Sequence, residues 1–245
     1  MDKGLYVAMT GAQATLRAQA AVANNIANKD TVGFKAERVA TETFQVPGIG
    51  LPTRIDAVGA RLGYDASMGP IMATGGSLDI ALHERVWLGV QGPEGEEAWT
   101  RAGELRVSSN GFLQTASGLP VMGENGPLAI PPHERLHIGG DGTISVQPLG
   151  QGPETLATVG RLRLGQVDDP ALLQRGVDGL MRATDPLPPA AGNVLTSGAL
   201  EGSNVDAASM LVEMINLSRQ FEMQVKVLKT GEETARASAS LLRLS

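Results

Sequence analysis

Small and apolar residues recur at alternating spacings of three and four at both ends of this chain, and nowhere between. Near the N-terminus the series is Leu5, Met9, Ala12, Leu16, Gln19, Ala23 and Ile26, apolar except at Gln19. That is the period of one helix face. A helix from about Gly4 to Ala27 spans roughly 36 Å at 1.5 Å per residue. Near the C-terminus the series is Leu211, Met214, Ser218, Phe221, Val225, Leu228, Glu232, Ala235, Ala239 and Leu242. It predicts a helix of roughly 55 Å, for which Ser203, Asn204 and Asp206 all offer a side chain able to cap the first turn. Gly231 and Glu232 weaken one turn. Small residues let helices approach closely but bury little area, so neither helix is stable alone. Two such seams are expected to pair with each other and with other chains.

Between them the periodicity changes from three-and-four to two. Leu78, Ile80 and Leu82 alternate, and Val86-Trp87-Leu88-Gly89-Val90 reads as a strand buried on both faces. Asn110-Gly111 between Val107 and Phe112 is a two-residue hairpin signal. Leu136 and Ile138, then Ile144 and Val146, flank the turn Gly139-Gly140-Asp141-Gly142. Trp87 and Trp99 belong in the core of this region. The fold class expected is mixed α and β, with long N- and C-terminal helices pairing as a coiled-coil-like assembly domain around a central antiparallel β-rich domain. The divisions are residues 1–40 for the N-terminal helix, 41–76 for an extended linker, 77–184 for the β domain, 185–204 for a Pro/Gly linker and 205–245 for the C-terminal helix. Seven Gly and three Pro in residues 41–76 carry the first linker reading.

Composition excludes several classes of function. Lys and Arg number 20 against 26 Asp and Glu, so no basic field exists to attract nucleic acid. The central region carries a net charge of −7 against +2 and −1 at the two ends, which leaves both ends weakly charged and suited to burial. Cysteine is absent, which removes thiol catalysis and Cys-based zinc sites. No apolar run approaches the roughly 18 residues of a membrane span. Thr10, Gln13, Thr15, Arg17 and Gln19 interrupt the opening stretch where a cleavable signal needs a continuous apolar core.

One motif competes for attention. His133-Glu134-Arg135-Leu136-His137 has the H-E-x-x-H spacing that places two imidazoles on one helix face to hold zinc. Pro131-Pro132 before it and Gly139-Gly140 after it deny it a helix. On a strand the two rings lie about 13 Å apart along the chain, too far to share an ion. No catalytic residue, metal or cofactor is expected.

Asn24-Asn25-Ile26-Ala27-Asn28, with Thr31 and Gly33-Phe34-Lys35, ends the first seam in residues suited to terminating a helix. The same residues resemble the N-terminal signature of the flagellar rod and hook proteins of bacteria. The opening Leu5-Tyr6-Val7-Ala8-Met9-Thr10-Gly11-Ala12 is similar to that family. So are Leu78-Asp79-Ile80-Ala81-Leu82, Trp99-Thr100-Arg101-Ala102-Gly103-Glu104-Leu105, Asn110-Gly111-Phe112-Leu113, Gly118-Leu119-Pro120-Val121 and Asp141-Gly142-Thr143-Ile144. Leu200-Glu201-Gly202-Ser203-Asn204-Val205-Asp206, Met210, Met214-Ile215 and Arg219-Gln220-Phe221-Glu222 resemble its C-terminal part.

The resemblance implies a structural subunit of the basal-body rod. Length and the opening Met1-Asp2-Lys3-Gly4-Leu5-Tyr6 are most similar to the proximal-rod branch, with the distal-rod branch as the alternative. It implies an assembly motif at Asn24, Asn25, Ile26, Ala27, Asn28, Thr31, Gly33 and Phe34. It implies an N-terminal seam of Leu5, Met9, Ala12, Leu16 and Ala23, and a C-terminal seam of Leu211, Met214, Phe221, Val225, Leu228, Ala235 and Leu242. Other rod subunits, further copies of the chain and the flagellar type III export apparatus are the partners implied. Export would be without signal cleavage, and assembly in the periplasmic space. The terminal helices would line the tube with the β domain outside, and would be disordered before assembly. Removal of residues 1–35 or 206–245 would then abolish assembly and leave the β domain folded.

Overall fold

A computed structural model of the chain describes residues 2–45, 55–152 and 155–242. It contains two α-helices, α1 (Asp2–Ala27) and α2 (Ala207–Leu242), at opposite ends of the sequence, with a β-rich region between them. The chain divides into two compact units.

The first unit contains α1, α2 and the paired strands Glu37–Gln45 and Ile55–Tyr64 up to Gly63. The helices run antiparallel. Thr15 Oγ1 lies 3.1 Å from Gln224 Oε1, and Gln19 Nε2 donates to Ser218 Oγ at 3.3 Å. Asp206 caps α2: its carboxylate accepts from the amides of Ala208 and Ser209 and from the Ser209 hydroxyl. Of the three capping candidates in the sequence, Asp206 is therefore the one that closes the first turn.

The second unit holds residues 28–36 and 64–205. Its central sheet has five antiparallel strands in the order Leu164–Gln166, Val86–Gln91, Glu97–Thr100, Met181–Ala183 and Leu173–Arg175. Apolar groups cover both faces. Leu88 and Val90 enter a large cluster with Ile80, Leu82, Leu113, Ile138, Ile144 and Leu195. Trp87 points the other way, into a smaller cluster with Trp99, Val167, Leu173, Met181 and Leu187. This is why the run from Val86 to Val90 is apolar at every side chain. Gly165 permits the packing of Trp99, because a Cβ there would stand 2.7 Å from the indole Cζ3.

A second sheet pairs His133–Ile138, Thr143–Pro148 and Ala157–Arg161, all antiparallel. The H-E-x-x-H residues thus lie on a strand, with Leu136 and Ile138 turned inward and His137 opposite Ser145. The Asn110-Gly111 signal marks a hairpin between Leu105–Val107 and Leu113–Thr115. Its loop is longer than two residues: Ser108 N donates to Phe112 O, Gly111 N donates to Ser108 O, and Gly111 takes φ 79°. Three residues, the last of them left-handed, match strand twist as well as the shorter turn does.

Among the described residues both expected linkers contain hydrogen-bonded strands; residues 46–54 of the first lie outside the described residues. Residues 41–76 contain the end of Glu37–Gln45, then Ile55–Tyr64, then Ile71–Ala73, which pairs with Ala199–Glu201. Residues 185–204 contribute that last strand and also Leu195–Ser197, which pairs with Ile80–Leu82. Pro and Gly there punctuate short strands. The β-rich unit is therefore closed by chain from well outside residues 77–184.

Candidate functional site

The segment that follows α1 and the segment that precedes α2 come together within the β-rich unit. Thr31 N donates to Asn28 O and Phe34 N to Thr31 O, forming a tight double turn. Gly33 sits inside it at φ 69° with its amide donating to Glu201 O at 2.7 Å. A Cβ on Gly33 would collide with the main chain of Arg101, so this position requires glycine for two independent reasons. Phe34 is buried, with the Arg175 guanidinium 4.4 Å from its ring centroid. Arg175 also donates to Lys35 O at 2.9 Å.

Beside Phe34 lies a group of three buried charges. Glu201 is fully buried in the strand Ala199–Glu201. Its Oε1 accepts from Lys35 Nζ at 2.7 Å and from Gly69 N at 3.0 Å; its Oε2 accepts from Arg101 Nε at 2.6 Å. Arg101 uses its remaining donors on the carbonyls of Leu82, His83 and Val86. Lys35 also donates to Ser67 O at 2.6 Å. Burial, with the nearby Arg101 charge, pulls the Lys35 ammonium below its ordinary range, against the hydrogen bond it donates to Glu201, which raises it. Two cations thus share one carboxylate in a buried site.

Asn204 completes the junction. Its Oδ1 accepts from Ala36 N at 2.7 Å, and its Nδ2 donates to the carbonyls of Asp65 and Ser67, both at 3.0 Å. A single carboxamide thereby ties its own segment to two other stretches of main chain.

The expected assembly motif divides between the two units. Asn25 is buried at the end of α1 and exchanges two hydrogen bonds with the main chain of Glu37, at 2.8 and 2.9 Å. Asn24, on the exposed side, donates to Glu37 Oε2 at 3.1 Å. Ile26 is half-buried and Ala27 exposed. Asn28, Thr31, Gly33 and Phe34 belong to the β-rich unit.

Among the described side chains of α1 the buried positions are Ala12, Thr15, Ala21, Val22 and Asn25. Met9, Leu16 and Ala23 of the expected seam are exposed, while Ala12 is shared. The face turned to α2 is thus displaced from the seam, because small and polar residues rather than the larger apolar ones fill it. On α2, Met214, Phe221, Val225 and Leu228 are half-buried and Leu211 is exposed. The side chains of Leu5, Ala235 and Leu242 lie outside the described residues. Both helices retain uncovered apolar side chains: Val7, Met9 and Leu16 on α1, and Leu211, Val212, Ile215, Met223 and Val227 on α2. Among the described residues no cluster of His, Asp and Glu has the arrangement of a metal site.

Lys35, Arg101 and Glu201 were not singled out from the sequence, although each sits in a quoted motif, and Asn204 was singled out only as a candidate helix cap. The available signal is Glu201 itself, a charge inside an otherwise buried strand.

Comparison with known proteins places these segments in order along one family. Residues 5–35 match the family described as flagella basal body rod protein. Residues 81–146 match the flagellar hook protein FlgE/F/G D1 domain, and residues 196–241 the flagellar basal body rod FlgEFG protein C-terminal family. The flagellar basal-body rod protein FlgF of Escherichia coli (strain K12) is 40% identical over 253 residues, covering 100% of both chains. FlgF of Salmonella typhimurium is 39% identical over the same extent. The flagellar basal-body rod protein FlgG of Buchnera aphidicola subsp. Schizaphis graminum is 30% identical, covering 95% of this chain and 97% of that one.

Proposed function

The chain belongs to the flagellar basal-body rod protein family, and from that premise we propose that it is a structural subunit of the proximal rod that polymerises through its two terminal helices. The observation that carries this reading is the 40% and 39% identity to two FlgF rod proteins along the entire chain. The distal rod is the alternative.

Association with other rod and hook subunits follows from family membership. The finer picture is built on the helices. Their exposed apolar residues, Leu16 on α1 and Leu211, Ile215 and Met223 on α2, are the surface through which neighbouring copies pack in coiled-coil fashion. A contact of this kind that joins unlike faces does not close on itself, and so extends into a helical assembly. Export of an unfolded chain by the flagellar type III apparatus, without signal cleavage, delivers it to the periplasmic space in this reading.

The test is complementation of a strain lacking its own proximal-rod subunit. The full chain restores swimming and rod completion. A chain carrying Ile215→Glu and Met223→Glu is exported but does not restore them. Restoration by that variant removes the helices from the assembly mechanism.

A further inference from the structure

Lys35, Arg101 and Glu201 lie 66 and 100 residues apart in sequence, yet all three side chains are at most 4% exposed and meet at one carboxylate. The carboxylate arrives last in chain order. Before the strand Ala199–Glu201 is in place, Lys35 and Arg101 lack the carboxylate that both of them bind. Removing the carboxylate at the centre of a buried ion group is among the costliest single changes a fold sustains. The carbonyls of Leu82, His83 and Val86 satisfy the Arg101 donors but not its charge.

We propose that Glu201 is a closing latch: the β-rich unit completes its core only when the carboxylate docks between Lys35 and Arg101. The latch ties the ordering of residues 28–36, just after α1, to that of residues 199–205, just before α2. Three observations converge on this. Glu201 O binds Gly33 N, so one residue holds the post-helix turn with its main chain and Lys35 with its side chain. Gly69 N also donates to the same carboxylate, bringing in a third segment. Asn204, three positions on, repeats the pattern with Ala36, Asp65 and Ser67. A chain made or threaded N-terminus first therefore stays open until nearly all of it is present. The β-rich unit is a completeness check rather than a domain that folds by itself.

The experiment uses the full chain and the fluorescence of Trp87 and Trp99, both buried in the cluster beside Arg101. Refolding and unfolding rates are measured for the parent, Glu201→Gln, Lys35→Met and the double variant. Gln keeps the shape and leaves strand pairing intact, so a role in backbone pairing alone leaves every rate unchanged. The latch requires Glu201→Gln to lower the urea midpoint by about 1–2 M. It also requires refolding to slow by about tenfold or more, because the carboxylate acts during closure. Removing the surplus cation with Lys35→Met in the Glu201→Gln background restores part of the midpoint and rate. If Glu201→Gln does not fold at all, the double variant still decides: burial of both tryptophans supports the latch, and failure to bury them overturns it. A parent-like refolding rate for Glu201→Gln, with only faster unfolding, also overturns it.

Discussion

The Asn25 carboxamide exchanges hydrogen bonds with both main-chain groups of Glu37, Nδ2 donating to the carbonyl at 2.9 Å and Oδ1 accepting from the amide at 2.8 Å. It imitates a strand neighbour at the point where the strand begins, using a side chain from the last turn of α1. Asn25→Ala leaves both Glu37 groups without this partner and costs about 2 kcal/mol. Asn25→Asp keeps the acceptor and loses the donor, and falls between. Urea titration followed by helical circular dichroism distinguishes the three chains; equal midpoints would show that water replaces the carboxamide at no cost.

Gly33 and Gly75 share nearly the same backbone angle, φ 69° and 73°, in different surroundings. A Cβ at Gly75 meets nothing within 4 Å, whereas one at Gly33 meets the Arg101 main chain. Gly75→Ala therefore carries only left-handed strain of about 1 kcal/mol. Gly33→Ala adds displacement of the main chain around Arg101, for a loss of about 3 kcal/mol or more. Tryptophan-monitored unfolding ranks them, and similar losses would place the collision in a region that yields easily.

Two groups shape the alkaline limit of stability in opposite directions. The half-buried Tyr64 ring stands edge-on to Trp87 at 5.8 Å, and burial pushes its hydroxyl up to about 12 from 10.0. Between those values the folded chain holds a proton that the unfolded chain has released, so stability falls as pH rises through that window. The Lys35 ammonium is shifted down from 10.5, chiefly by burial. Just below 10.5 the folded chain holds fewer protons than the unfolded one, so this group makes stability rise with pH. Urea titrations from pH 8 to pH 12 should show the late fall reduced in Tyr64→Phe and the earlier rise missing in Lys35→Met. Parallel curves for all three chains would contradict both assignments.

Ile215 and Met223 are 53% and 62% exposed on α2. Replacing either with Glu changes the thermal midpoint of the single chain little, within about 0.5 kcal/mol. The same variants are expected to reduce self-association at high concentration, measured by sedimentation velocity. Sedimentation identical to the parent would place the contact surface elsewhere.

Much of this architecture can be read from local pattern. The run from Val86 to Val90 announces a strand covered on both faces, and Asn110-Gly111 marks the position of a hairpin although not its length. The positions of α1 and α2 follow from the three-and-four spacing. Their contact face does not. α1 is so rich in alanine that no stripe dominates, and the face that packs is chosen by close approach at Gly11, Thr15 and Val22 rather than by apolar size. The junction around Glu201 is also hard to read, because its partners are 100 and 166 positions away. A lone charge in a strand is ambiguous until the fold supplies them. The supposed linkers misled because Gly and Pro punctuate short strands as readily as they extend a tether.

The contact between α1 and α2 includes two polar pairs, Thr15 with Gln224 and Gln19 with Ser218, groups that water satisfies almost as well as they satisfy each other. Such a seam is a poor adhesive and a good placeholder. It holds the helices side by side in a single molecule without committing them, and a neighbouring copy offering apolar surface to Leu16 or Ile215 displaces little of value. If copies assemble through these helices, as proposed, the addition of one needs no unfolding step, only an exchange of one weak companion for several better ones.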